Sequence, residues 1–410
     1  MPSPNFDRTI DHNEWVLDFC RVREAWAAHQ TKGENVVIAQ ADVGWTDHPQ
    51  LPFDTSASTH NNYGTNRSID FTERSSQEPW QYTRKGEDEL QTDFLETLFP
   101  GHGTSTASVI ISPQEVIQGG GDPRDRQIAN RDAKAFVTGV APGASLIPYR
   151  VTKGNVLLDG QLDLNAIERC LMNCLFQFKN GLNDIGVITM SLGGPPGKNK
   201  AYRQLRNALL EVRRRGIVVF CAGGQGGGAP TAFLFNAIDL APFPATDPNT
   251  IGVSACEITD APYNIGVHGQ HIKVAAPGDQ VWRAATTRND ALPHGRDFFV
   301  ERSHGSSYAT AIAAGVCALW QSRWGRDKLI GERDLSRAGN TRKPGLYPPQ
   351  HLMTAFLMCL ESTARKPVGF DREKYGCGII DAKALLDFPL PKPADVKVEH
   401  LKKFPTETSP

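Results

Sequence analysis

Apolar residues recur in two rhythms along this chain. In EWVLDFCRVREAWAAH (14–29) they fall at Trp15, Phe19, Val22 and Trp26, the spacing of one buried helical face, and Lys32-Gly33 closes that helix. Residues 35–41 instead form a nearly continuous apolar run, suited to a strand covered on both faces and ended by Asp42. Further strands are predicted at about 144–151, 185–190, 217–222, 250–255 and 271–275, and helices at about 162–178, 200–214, 307–322 and 350–363. Strands alternating with helices predict an α/β fold: a mostly parallel central sheet with helices on both faces. Open sheets of this kind gather their chemistry at the C-terminal strand ends, where Asp42 falls.

Two polar stretches interrupt the alternation. Residues 52–100 are irregular and charged, and residues 112–136 carry Gly119-Gly120-Gly121 among alternating charges; both read as surface inserts around a cleft. The expected organisation is an N-terminal extension (1–13), one domain (14–387) and a Pro-rich, charged, loose tail (388–410), without internal repeats.

Composition narrows the partners. Of 410 residues, 40% are hydrophobic, enough for a sizeable core. A net charge of −1 argues against nucleic acid or an anionic membrane as the main partner. No apolar run approaches the ~20 residues that span a bilayer, and the start shows no secretory signal. The eight cysteines sit mostly in apolar segments, which favours free buried thiols in a reducing, cytoplasmic setting. Cys170 and Cys174 share a helix face, but no second pair accompanies them, so no metal site is assigned.

Three segments carry reactive side chains flanked by small residues: Asp42 in VVIAQADVGW, His102 in GHGTSTAS, and Ser307 in HGSSYATA. A serine hydroxyl needs an imidazole to accept its proton and a carboxylate to hold that imidazole in one tautomer. Ser307 opens a helix of alanine and glycine, whose N-terminal dipole and free N–H groups suit a developing oxyanion. Taken singly, each segment is also explained by a loop histidine or a helix cap.

Together, the segments resemble the subtilisin-like serine proteases (subtilases). VVIAQADVGWTDHPQL resembles the family's Asp block, GHGTSTAS its His block and GSSYATAIAAG its Ser block. GVAPGASLIPYRV, MSLGG, GIVVFCAGGQG, VAAPGDQV and YGCGIIDAKAL are similar to family landmarks between and beyond them, over roughly residues 14–387. The resemblance implies a subtilisin-like three-layer fold and a serine endopeptidase acting on a peptide or protein substrate. Ser307 would be the nucleophile, His102 the base and then acid, and Asp42 its orienting partner. Gln225 and the Ser307 N–H would form the oxyanion hole. Ser191, Leu192 and Gly193 would pair with an extended substrate. Gly193, Gly223 and Gly224 would flank a primary pocket with room for a large side chain.

The sequence departs from the family in three places. Gln225 stands where the family usually has Asn, one methylene longer. Ala311 replaces the usual proline four positions after the nucleophile. The residues before Asp42 resemble the start of the mature domain and no propeptide is evident, so either the chain folds unaided or a leader has been removed upstream. No cofactor is required; structural calcium often accompanies the family, yet Arg124, Arg126 and Arg131 interleave Asp122, Asp125 and Asp132, and no clear metal site emerges. A catalytically weak peptide-binding module and a peptide-processing acyl-transferase remain as alternatives to hydrolysis.

Overall fold

The computed structural model describes residues 13–46, 48–51, 68–72, 101–113, 136–152, 164–179, 185–225, 242–288, 296–332 and 343–398. Most of the two polar inserts, nearly all of the N-terminal extension and the end of the tail lie outside these residues.

Six strands form one parallel sheet: β1 (Val37–Asp42), β2 (Ser145–Arg150), β3 (Ile185–Met190), β4 (Val218–Ala222), β5 (Ile251–Cys256) and β6 (Ile272–Pro277), in the order β2-β1-β3-β4-β5-β6. Successive strand residues point to opposite faces. Val218 and Phe220 enter one hydrophobic cluster, while Val219 and Cys221 enter a second across the sheet. The first cluster includes the Ser306–Trp324 helix; the second includes the Leu164–Lys179 and Lys200–Arg214 helices. Both faces are therefore covered, which is why the strands read as apolar runs rather than as alternating patterns. The three-layer α/β architecture is the expected one.

Three local features differ from the sequence reading. The segment 14–29 is two helices, Trp15–Phe19 and Val22–His29, because Arg21 takes a left-handed φ of 56°. Its guanidinium bonds Glu24 and Asp381, and the four apolar positions remain buried on both sides of the break. Residues 281–288 and 296–303 contribute an unforeseen antiparallel strand pair, β7 (Val281–Arg288) with β8 (Arg296–Ser303). The segment expected to be a loose tail is packed as far as it is described: Phe388 and Leu390 lie against the core, Val396 is buried, and the Tyr347 hydroxyl donates to Pro391 O at 2.6 Å. Its prolines shape a 3-10 turn, Pro393–Asp395, and its few apolar residues anchor it.

The strand order reverses around β1, which has β2 on one side and β3 on the other. Such a switch point opens a crevice at the C-terminal strand ends. Asp42 ends β1 and Ser191 follows β3, so both line that crevice.

Candidate active site

Asp42 and His102 meet at the switch point. The last residue of β1 carries the carboxylate, and His102 opens the His102–Ile111 helix. His102 Nδ1 lies 2.8 Å from Asp42 Oδ1, and the Val43 amide donates to the same oxygen at 2.8 Å. The side chains are only 3% and 5% exposed, Asp42 first. A carboxylate acceptor at Nδ1 requires the proton there, which leaves Nε2 as the basic nitrogen. Gly103 permits the approach of the two elements: a Cβ on it would sit 2.0 Å from Gly44 O. The helix is also pinned from outside. Ser105 Oγ donates to Ala284 O at 2.7 Å, and Ser108 Oγ accepts from Ala284 N at 2.9 Å, so the β7–β8 strand pair holds the histidine's helix in place.

Two further residues escaped the sequence reading: Thr106 touches this pair, and Gln40 touches Thr106. Thr106 Oγ1 is 3.4 Å from Asp42 Oδ2, and Gln40 Nε2 donates to Thr106 Oγ1 at 2.6 Å. The available signal was a glutamine inside an otherwise apolar strand, VVIAQAD, where a polar side chain must find partners.

Ser307 lies in the first turn of the Ser306–Trp324 helix, after Gly305. The helix is almost wholly buried, as its small residues predict. Tyr308 stands with its ring centroid 6.4 Å from that of His102. Ser307 Oγ donates to Ser191 O at 3.4 Å, and Ser191 Oγ donates to Ser307 O at 3.0 Å. This reciprocal pair ties the segment after β3 to the serine's helix.

Gln225 follows β4 and reaches the same helix: its Oε1 accepts the Ser306 amide at 3.1 Å. A second strap holds its neighbours. Val267 N donates to Gly224 O at 3.2 Å, and the His271 imidazole donates to Gly223 O at 3.0 Å, with burial lowering the His271 pKa.

The glycines assigned to a pocket have a different packing role. A Cβ on Gly193 would lie 2.9 Å from Pro242 Cβ, and one on Gly224 would lie 2.9 Å from Pro242 Cγ. On Gly223 it would meet Ile272 at 2.5 Å and Val253 O at 2.7 Å. These glycines answer close packing, so the inference from missing side chains to a roomy pocket does not follow. Leu192 is buried, and Gly194 pairs with Phe243 as an antiparallel bridge.

Among the described residues no group of three or more His, Cys, Asp or Glu side chains is arranged to hold a metal ion. Asp122, Asp125 and Asp132 of the second polar insert lie outside them. All eight cysteines are free and buried.

A sequence profile described as the Subtilase family matches residues 33–336. Subtilisin E of Bacillus subtilis (strain 168) is 28% identical over 200 residues, covering 47% of this chain and 45% of that protein. The chain thus spans about half the length of the first curated relatives it matches. The major intracellular serine protease of Bacillus subtilis (strain 168) is 24% identical over 330 residues, covering 78% of this chain and 80% of that protein. The crystal structure of MycP1 with its N-terminal propeptide removed shares the fold, with a TM-score of 0.55 at 19% identity, over 92% of this chain and 98% of that one.

Proposed function

Because the chain belongs to the Subtilase family, we propose that it is a serine endopeptidase using Asp42, His102 and Ser307. The observation that carries this reading is the buried Asp42–His102 hydrogen bond at the sheet's switch point, beside the helix that bears Ser307. His102, held as the Nδ1–H tautomer, takes the Ser307 proton at Nε2 as Oγ attacks the scissile carbonyl, then returns it to the leaving amine. Asp42 stabilises the imidazolium formed in between. The Ser307 N–H and the Gln225 carboxamide stabilise the oxyanion. Water then hydrolyses the acyl-enzyme through the same base.

The substrate is a peptide or protein. Backbone groups of Ser191, Leu192 and Gly193 receive it as an added strand. Nucleic acid and membrane are not partners in this reading, and no helix among the described residues is long and apolar enough to cross a bilayer. No metal or cofactor takes part in the chemistry. The free, buried thiols support a cytoplasmic, reducing setting.

Labelling with a fluorophosphonate probe tests the proposal. Wild-type protein should react at Ser307, and Ser307→Ala should not. Absence of labelling in the wild type, in a chain shown to be folded, would support the peptide-binding alternative. Cleavage products analysed by mass spectrometry separate hydrolysis from acyl transfer, since transfer leaves ligated peptides.

A further inference from the structure

Gln40 is an unusual resident of β1. The strand is covered on both faces, and the side chain is 1% exposed. Burying a carboxamide there carries a desolvation penalty unless its polar atoms are paired. Only one end is. Nε2 donates to Gly103 O at 2.8 Å and to Thr106 Oγ1 at 2.6 Å, whereas Oε1 is buried without a hydrogen-bond partner among the described residues. Exchanging the two ends would turn Oε1 against the Gly103 carbonyl, so the orientation is fixed.

That orientation sets the direction of the Thr106 hydroxyl. Oγ1 accepts from Gln40 and has one proton left to give. Its acceptors are His102 O at 3.1 Å, Gly103 O at 3.2 Å and Asp42 Oδ2 at 3.4 Å. Gly103 O already receives a proton from Gln40, and His102 O is a neutral carbonyl in a helix. Asp42 Oδ2 alone carries charge, and hydrogen bonds to a charged acceptor are the stronger ones. Oδ1 is occupied by His102 Nδ1 and Val43 N.

We propose that Gln40 and Thr106 form a positioning relay, amide to hydroxyl to carboxylate, that holds Asp42 Oδ2 so that Oδ1 faces His102. The relay rests on the reading of Asp42 as the triad carboxylate. Neither residue touches substrate. Gln40 aims the threonine, the threonine fixes the rotation of the carboxylate, and the carboxylate orients the imidazole.

The test compares wild type with Thr106→Val, which keeps shape without the hydroxyl, Thr106→Ser, which keeps the hydroxyl, and Gln40→Met, which keeps volume without the donor. Peptide hydrolysis and the low-field proton resonance of His102 Nδ1–H are measured in each, beside the thermal midpoint. Thr106→Val should lower kcat about tenfold, the effect of one hydrogen bond, with KM unchanged. It should also shift or broaden the resonance, and Thr106→Ser should restore most of both. Gln40→Met should act in the same direction. An unchanged kcat and resonance in folded Thr106→Val and Gln40→Met would overturn the relay. If wild type hydrolyses nothing, the endopeptidase reading fails, and the resonance alone still decides whether the relay holds Asp42.

Discussion

Gln225 Oε1 accepts the backbone amide of Ser306, the residue immediately before the proposed nucleophile, at 3.1 Å. With its oxygen fixed there, the carboxamide has only Nε2 to offer a developing oxyanion. Gln225→Glu keeps the acceptor but loses the donor and adds negative charge; Gln225→Ala loses both. Each should lower kcat by roughly 10²–10³ with little change in KM, the range that loss of such a donor costs in the related subtilisin. Steady-state kinetics checks this, and unchanged turnover removes Gln225 from the oxyanion assignment.

Gly305 makes that contact accessible. It adopts φ 147° and ψ 152°, a region essentially reserved for glycine, and a Cβ would stand 2.8 Å from Gln225 Oε1. Gly305→Ala should cost about 1–3 kcal/mol of stability through backbone strain. Displacement of Gln225 should also lower kcat by more than tenfold. Chemical denaturation and kinetics on one preparation measure the two effects; equal activity at reduced stability would show the contact to be dispensable.

His48 links stability to pH. It is fully buried; Nε2–H faces Ala285 O at 3.1 Å and Phe299 O at 3.2 Å, and Nδ1 accepts from Gln50 N at 3.1 Å. Burial, the largest cause, pushes its pKa down to about 4. The unfolded chain, near the ordinary 6.5, therefore binds the proton more readily than the folded one. The stabilisation is fully present above pH 6.5 and is lost as pH falls toward 4, by about 3 kcal/mol if this residue acts alone. His48→Gln should be less stable at neutral pH, yet its stability should depend less steeply on pH between 6.5 and 4. Urea denaturation at stepped pH compares the slopes, and parallel curves would contradict the assignment.

The cysteines should be chemically silent in the native protein. Burial raises Cys317, Cys359 and Cys377 to about 12, and raises Cys20, Cys170, Cys221 and Cys256 in the same direction. At pH 8 a thiol of pKa 12 is ionised to roughly one part in 10⁴. A chromogenic disulfide reagent should find no rapidly reacting thiol before unfolding and eight in denaturant. Reductant should leave activity unchanged.

Much of this architecture was legible in the sequence because buried parallel strands and small-residue helices leave strong local patterns. Val37–Asp42 and Ser306–Trp324 are two such cases. The Asp42–His102 pairing was foreseeable from motif order. The break at Arg21 was not, because a left-handed residue held by Asp381 is a long-range effect with no periodic trace. The β7–β8 pairing was missed for a similar reason: its register is fixed by cross-strand pairing rather than by local spacing. A glycine in the sequence serves open space and tight packing alike; at Gly193 and Gly224 the position of Pro242, and at Gly223 those of Ile272 and Val253, show the packing. Thr106 looks like any helical threonine until Gln40 is placed beside it.

The helix that starts at Ser306 packs against β1, β3, β4, β5 and β6, all of which precede it in the chain. During synthesis from the N-terminus, the imidazole and carboxylate therefore emerge long before the hydroxyl, and that face of the sheet lacks this cover until the Ser306–Trp324 helix arrives. In the proposed enzyme a half-translated chain therefore has no cutting edge, and the ribosome-bound intermediate is spared from its own kind of chemistry until the layers have closed.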